Sequence, residues 1–303
     1  MQARLENRRW PVLLIAALVL GSSACGGSTS AVAPPPSPSL SPKPSPIVDC
    51  QGSMATAAAV QYVSLTLDGR LRDYRIFRPP ALDYTKPIPL VISLHGTPSD
   101  AATHASVSHF DEEATKAGFL AVYPDGCDGT WDPDAGSYDV QFISRLVERL
   151  KSDFQVDAAR VYIVGVSAGA PMAYRVACEL STVIAGLASV AGSMITNDCH
   201  PTRPISVLEM HGTADANVSY ARGVAAVQAW TMLDGCVGDP ALSQSGITKT
   251  AYWSQCKTGT VVRLDTVVGG HHTWFGSTFD PVPNEPNANS VIWSFFSSLR
   301  TTA

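Results

Sequence analysis

The chain has 303 residues, 45% hydrophobic and 16% charged, with a formal net charge of −5 at pH 7. That length leaves room for one large domain or two small ones, and the composition is that of globular rather than disordered protein. The acidic balance, with no basic cluster beyond the N-terminus, excludes a nucleic-acid binder working through a basic patch.

Residues 1–24 read as an export leader rather than as fold. Arg4, Arg8 and Arg9 precede the apolar run Val12–Leu20, which is too short to span a bilayer. Gly21-Ser22-Ser23-Ala24 then forms a small-residue cleavage region ahead of Cys25. Small residues before a Cys resemble the bacterial lipobox, in which that Cys is lipidated and becomes the new N-terminus. Ser22 departs from it, since Leu or Val usually stands there. The expectation is a secreted, extracellular protein anchored to a bacterial cell membrane through lipid on Cys25, with plain secretion as the alternative. Gly26–Pro46 carries seven prolines from Pro34 to Pro46. Such a stretch buries no core and suits an extended stalk. Residues 25–49 are therefore assigned to anchor and linker, and 50–303 to one folded domain.

With Cys25 set aside, six cysteines remain: Cys50, Cys127, Cys178, Cys199, Cys236 and Cys256. An even number in an exported chain implies disulfides. Proximity in sequence favours Cys178–Cys199 and Cys236–Cys256, leaving Cys50 for Cys127. No C-x-x-C or H-x-x-x-H spacing occurs, so no metal site and no cofactor are expected.

Within the domain, Val60–Leu67 and Leu71–Phe77 read as strands around the hairpin signal Asp68-Gly69. Leu90–Leu94 is a short buried strand, Asp100–Ala117 a helix and Phe119–Tyr123 the next strand. Asp139–Phe154 has helical spacing of Val140, Ile143, Val147, Leu150 and Phe154. Val161–Val164 is a strand and Ala170–Leu180 a helix. Ile184–Val190 and Ile205–Met210 follow as strands, Gly223–Leu233 as a helix, Val261–Val268 as a strand and Val291–Leu299 as a closing helix. A hairpin followed by alternating strand and helix predicts an α/β fold, with a mostly parallel, doubly wound sheet and helices on both faces.

Between the strand at Val161 and the helix at Ala170 stands Gly165-Val166-Ser167-Ala168-Gly169. Strand, G-x-S-x-G turn and helix make the nucleophile elbow of an α/β-hydrolase, with Ser167 lifted above the strand ends. In that fold the acid and the base follow the serine in that order. Asp215 lies just past the strand Ile205–Met210, in His211-Gly212-Thr213-Ala214-Asp215. The base is expected in the loop after the last strand, where His271 and His272 compete. The oxyanion donors are expected to be the N–H groups of Ala168, at a helix N-terminus, and of Thr97, in Leu94-His95-Gly96-Thr97. Trp131 and Trp274 are candidate walls for an aromatic or extended acyl group, with core packing as the competing assignment.

As a set, Leu94-His95-Gly96, Tyr123-Pro124-Asp125-Gly126, Trp131, Asp139-Val140-x-Phe142, the elbow, His211-Gly212-Thr213-Ala214-Asp215 and Gly270-His271-His272-Thr273-Trp274 resemble the polyhydroxybutyrate depolymerase and feruloyl esterase group. The resemblance runs from about Val60 to the C-terminus. It implies that the base precedes a residue and then Trp, which selects His272, and it favours the Cys178–Cys199 bridge. Phe275-Gly276 replaces the usual Pro-Gly after the Trp, and Val218-Ser219-Tyr220 replaces Val-Pro-Tyr after the Asp. Pro171 stands in the first turn of the elbow helix, where a small residue or Met is common. These departures bear on substrate rather than on the triad. The expected protein is a monomeric serine esterase acting on short-chain polyester or on feruloyl or acetyl esters. The alternatives are a peptidase or thioesterase on the same fold, or a non-catalytic binding lipoprotein.

Overall fold

The computed structural model describes residues 59–195 and 198–299. The leader, Cys25, the proline-rich stretch and Cys50 lie outside these residues. The described strands are β1 (Val60–Leu67), β2 (Arg70–Phe77), β3 (Ile88–Leu94), β4 (Leu120–Pro124), β5 (Val156–Val166), β6 (Gly186–Val190), β7 (Ser206–Gly212), β8 (Ala241–Ser245), β9 (Thr248–Trp253) and β10 (Val262–Val267). The helices are α1 (Ala101–Ser108), α2 (Phe110–Ala117), α3 (Tyr138–Asp153), α4 (Gly169–Glu179), α5 (Tyr220–Leu233) and α6 (Ala288–Ser298).

The ten strands form one sheet in the order β1-β2-β4-β3-β5-β6-β7-β10-β9-β8. Its middle, from β4 to β10, is parallel throughout, and antiparallel strands close both flanks. Central strands buried on both faces read as continuous apolar runs. In β5, Val161 and Ile163 face one core, with α3, α4 and α5. Tyr162 and Val164 face the other, with α1, α2 and α6. The expected doubly wound, mostly parallel α/β sheet is the one observed.

Three local differences have physical causes. The single helix expected over Asp100–Ala117 is broken at His109, whose positive φ of 52° closes α1 and starts α2. β5 begins five residues before the apolar run, at Val156, along a stretch that is partly exposed. The β8–β9 hairpin gave no periodic signal because every residue of β8 is exposed at the sheet edge. Cys178–Cys199 and Cys236–Cys256 are bonded. Cys127 is also disulfide-bonded, while the expected pairing with Cys50 lies outside the described residues.

Candidate active site

β5 ends and α4 begins with only Ser167 and Ala168 between them. The chain turns so tightly there that Ser167 takes a φ of +54°, a conformation rare for a side-chain-bearing residue and concentrated at functional sites. The flanking glycines are sterically required. A Cβ on Gly165 would lie 2.2 Å from the Gly169 carbonyl oxygen, and one on Gly169 would lie 2.5 Å from the carbonyl oxygens of Leu94 and His95.

The Ser167 Oγ lies 2.8 Å from His272 Nε2, and His272 Nδ1 lies 2.8 Å from Asp215 Oδ2. A carboxylate only accepts, so Nδ1 carries the hydrogen and Nε2 is free to accept from the Ser167 hydroxyl. The other carboxylate oxygen, Asp215 Oδ1, accepts from the N–H groups of Asn217 at 2.9 Å and Val218 at 2.8 Å. Asp215 is buried while His272 is half-buried, so the chain of bonds runs from the interior to an accessible serine. His271 turns elsewhere: its Nδ1 is 3.1 Å from Asp280 Oδ2, close enough for an ion pair but not aligned for a hydrogen bond.

The loop after β3 approaches the serine closely. A Cβ on Gly96 would stand 3.2 Å from the Ser167 Cβ. Among the described residues, the backbone N–H groups of Thr97 and Ala168 have no hydrogen-bond partner. Two unspent donors beside a nucleophile suit a developing oxyanion.

His95 braces that loop. Its Nδ1–H donates to the Gly96 carbonyl at 2.6 Å, and its Nε2 accepts from the Gly126 N–H at 2.9 Å. One nitrogen donates and one accepts, so the ring is neutral. Burial also holds its pKa below the ordinary histidine value, against the pull of the Gly96 carbonyl. The Trp131 indole N–H donates to the His95 carbonyl at 2.9 Å, and the two rings pack with centroids 4.7 Å apart. Further back, Asp139 accepts from the Asp132 N–H at 2.7 Å and from buried Arg72 at 2.5 Å.

Both tryptophans expected as substrate walls are buried. Trp131 lies under the His95 loop. Trp274 packs edge-on to Phe110 and His104, with its N–H on Asn289 Oδ1 at 2.8 Å. The core-packing assignment accounts for both. Sequence reasoning gave no role to Glu209, His211 or Val218, although His211 sits inside one of the motifs it used. The signal was an acid and a histidine two apart at the end of a largely apolar strand.

A mostly parallel sheet with helices on both faces, a strained serine between strand and helix, and a carboxylate and histidine on later loops define an α/β-hydrolase. Residues 72–242, more than half of the chain, match the family model described as esterase PHB depolymerase, and the chain belongs to that family. It is 32% identical to the bifunctional acetylxylan esterase/xylanase XynS20E of Neocallimastix patriciarum, over 50% of this chain and 22% of that protein. It is 25% identical to the "Probable feruloyl esterase C" of Aspergillus niger, over 66% of this chain and 76% of that protein. The chain thus spans about a fifth of the first relative's length. Among solved structures, the acetyl xylan esterase from Aspergillus awamori superposes with a TM-score of 0.62 at 14% identity, covering 78% of this chain and 99% of that one. At that identity the likeness speaks for the fold.

Proposed function

We propose that the protein is an exported serine esterase that hydrolyses carboxylic esters through an acyl-enzyme on Ser167. The observation that carries this reading is the continuous run of hydrogen bonds Ser167–His272–Asp215 at the carboxyl edge of the sheet. Ser167 Oγ attacks the ester carbonyl carbon as its proton passes to His272 Nε2. The carbonyl oxygen becomes an oxyanion held by the N–H groups of Thr97 and Ala168. Asp215 keeps the imidazole in the required tautomer and stabilises the imidazolium. Collapse expels the alcohol, which takes the proton from His272 Nε2. A water then gives its proton to His272 and attacks the acyl carbon, releasing the acid and restoring the Ser167 hydroxyl.

The names borne by the relatives favour acetyl or feruloyl esters of polysaccharide, and the family's description favours short polyester. Export is supported by the leader pattern of residues 1–24 and by the bonded Cys178–Cys199 and Cys236–Cys256 pairs, since disulfides persist outside the reducing cytosol. Lipid on Cys25 is part of the same reading. A Cys25→Ser protein is expected to leave the membrane fraction.

The test is fluorophosphonate labelling together with turnover of p-nitrophenyl acetate, p-nitrophenyl butyrate and methyl ferulate. Wild type is expected to label and to turn over at least one ester, and Ser167→Ala to do neither. Undiminished turnover by Ser167→Ala would remove the assignment. A folded wild type that neither labels nor hydrolyses would favour the non-catalytic lipoprotein.

A further inference from the structure

Beneath Asp215 lies a pair of ionisable residues that the triad does not use. Glu209 and His211 are two apart on β7 and share one face of the sheet. Both are fully buried. α5 crosses directly over them: a Cβ on Gly223 would lie 2.4 Å from His211 Nδ1 and 3.2 Å from Glu209 Oε1. Glycine inside a helix is unfavourable relative to alanine. Here it makes the room in which the pair sits.

His211 Nδ1 is 2.9 Å from Glu209 Oε1, and His211 Nε2 is 2.9 Å from the Val218 carbonyl oxygen. A carbonyl oxygen and a carboxylate only accept, so both ring nitrogens carry hydrogens and the ring is an imidazolium. On its other side the Tyr174 hydroxyl donates to Glu209 Oε2 at 3.1 Å. Tyr174 stays a donor because burial, and then the Glu209 charge, push its pKa well above the ordinary value. Burial alone draws the His211 pKa down. The bond to Glu209, its charge and the Val218 carbonyl outweigh this and leave it raised.

The same Nε2 is 3.4 Å from Asp215 Oδ2. Val218 ties the two together, because its N–H donates to Asp215 Oδ1 while its C=O accepts from His211. We propose that His211 is a positioning residue for the triad: a buried imidazolium, neutralised by Glu209, that fixes the Val218 loop and turns its charge toward the Asp215 carboxylate. The proposal rests on the triad reading of Ser167, His272 and Asp215.

The groups facing His211 bear this out. Glu209 comes from its own strand, and Asp215 and the Val218 carbonyl from the following loop. Tyr220 at the start of α5 lies edge-on with ring centroids 6.0 Å apart, its hydroxyl engaged with Thr266 Oγ1 of β10. Tyr174 of α4 reaches the pair through Glu209. Arg222, the charged residue of α5, is exposed. Arg263 and Asp265 of β10 pair with each other. The His211 ring thus stands 3.4 Å from the acid, its charge facing the Asp215–His272 couple.

The full-length enzyme with nitrogen-15-labelled histidine tests the charge directly, the His211 signals being assigned by their loss in His211→Gln. Both ring nitrogens are expected to be protonated at pH 7 to 8, and Glu209→Gln to release one proton. A neutral His211 ring in wild type at pH 7 would overturn the proposal. The pH profile of kcat/KM on p-nitrophenyl acetate tests the positioning. His211→Gln, which keeps a donor toward Val218, is expected to lower kcat by about tenfold or more with KM little changed. The acid limb should move up by about half a pH unit or more. A reduced kcat with an unmoved acid limb would leave His211 a structural residue and sink the proposal. Fluorophosphonate labelling separates the two readings: labelled Ser167 with an unshifted limb defeats this inference alone, whereas unlabelled Ser167 in wild type defeats the triad.

Discussion

His95 and His211 stand at the carboxyl ends of two parallel strands, one on the oxyanion side of Ser167 and one on the acid side. Both are completely buried, yet their partners place them in opposite charge states. His95 gives one hydrogen bond and receives one, so it is neutral. His211 meets only acceptors, so it is a cation with a carboxylate beside it. Burial draws both pKa values down, and Glu209 outweighs it at His211 alone. The difference teaches that the hydrogen-bond polarity of a site, not its depth, decides what a buried histidine is. The neutral side holds backbone donors for a transient negative charge, while the charged side holds a permanent one.

The largest effect separates the base from its neighbour. His272→Ala is expected to lower kcat/KM by about 10⁴-fold or more. His271→Ala, whose imidazole turns to Asp280, should stay within about threefold of wild type. Equal losses in the two would mean that the Asp215 side extends further than His272. A smaller effect probes the oxyanion side. Gly96→Ala places a methyl 3.2 Å from the Ser167 Cβ, and the displaced loop is expected to cost about 10–100-fold in kcat with Ser167 still present. Unchanged kcat there would detach the Thr97 donor from the reaction.

The smallest effect is on stability and tests the comparison itself. His95 has a lowered folded pKa, so its contribution is present above the unfolded histidine value of about 6.5 and is lost as pH falls below it. His211 has a raised folded pKa, so its contribution is present below about 6.5 and is lost as pH rises through the folded value. Denaturant unfolding from pH 5 to 9 should therefore show slopes of opposite sign for the two. His95→Gln is expected to flatten the acid side and His211→Gln the alkaline side. Slopes of the same sign would erase the contrast between the two histidines.

Much of this was legible in the residues. Apolar runs bounded by turn signals located the central strands, because a strand buried on both faces has no polar positions to obscure it. The G-x-S-x-G turn and chain order pointed to Ser167, Asp215 and one of two adjacent histidines, and the family resemblance selected His272; two contacts of 2.8 Å join the three. What escaped has a common cause. β8 is an exposed edge strand, and its residues carry no pattern because no core selects them. Beside the break at His109 the carbonyl of Ser108 accepts from Asn289 of α6, 181 residues away, a partner no local pattern announces. Trp274 stands two residues after His272 and Trp131 in the loop that follows β4, yet each spends its indole N–H on protein, one on the His95 carbonyl and one on Asn289. Position near a motif could not reveal which way the rings point. The charge of His211 depends on Val218, and no local rule links a strand residue to a carbonyl seven positions on.

The anchor of Trp274 has a consequence in time. The indole sits two residues after His272 and is moored to Asn289, which also clasps Ser108 at the end of α1. The loop that carries the base is thus fastened by α6, the last helix among the described residues. A growing chain that already carries Ser167, Asp215 and His272 would still lack that fastening until α6 is made. On the esterase reading, synthesis itself becomes a safety catch, and the nucleophile would be armed only once α6 has been made.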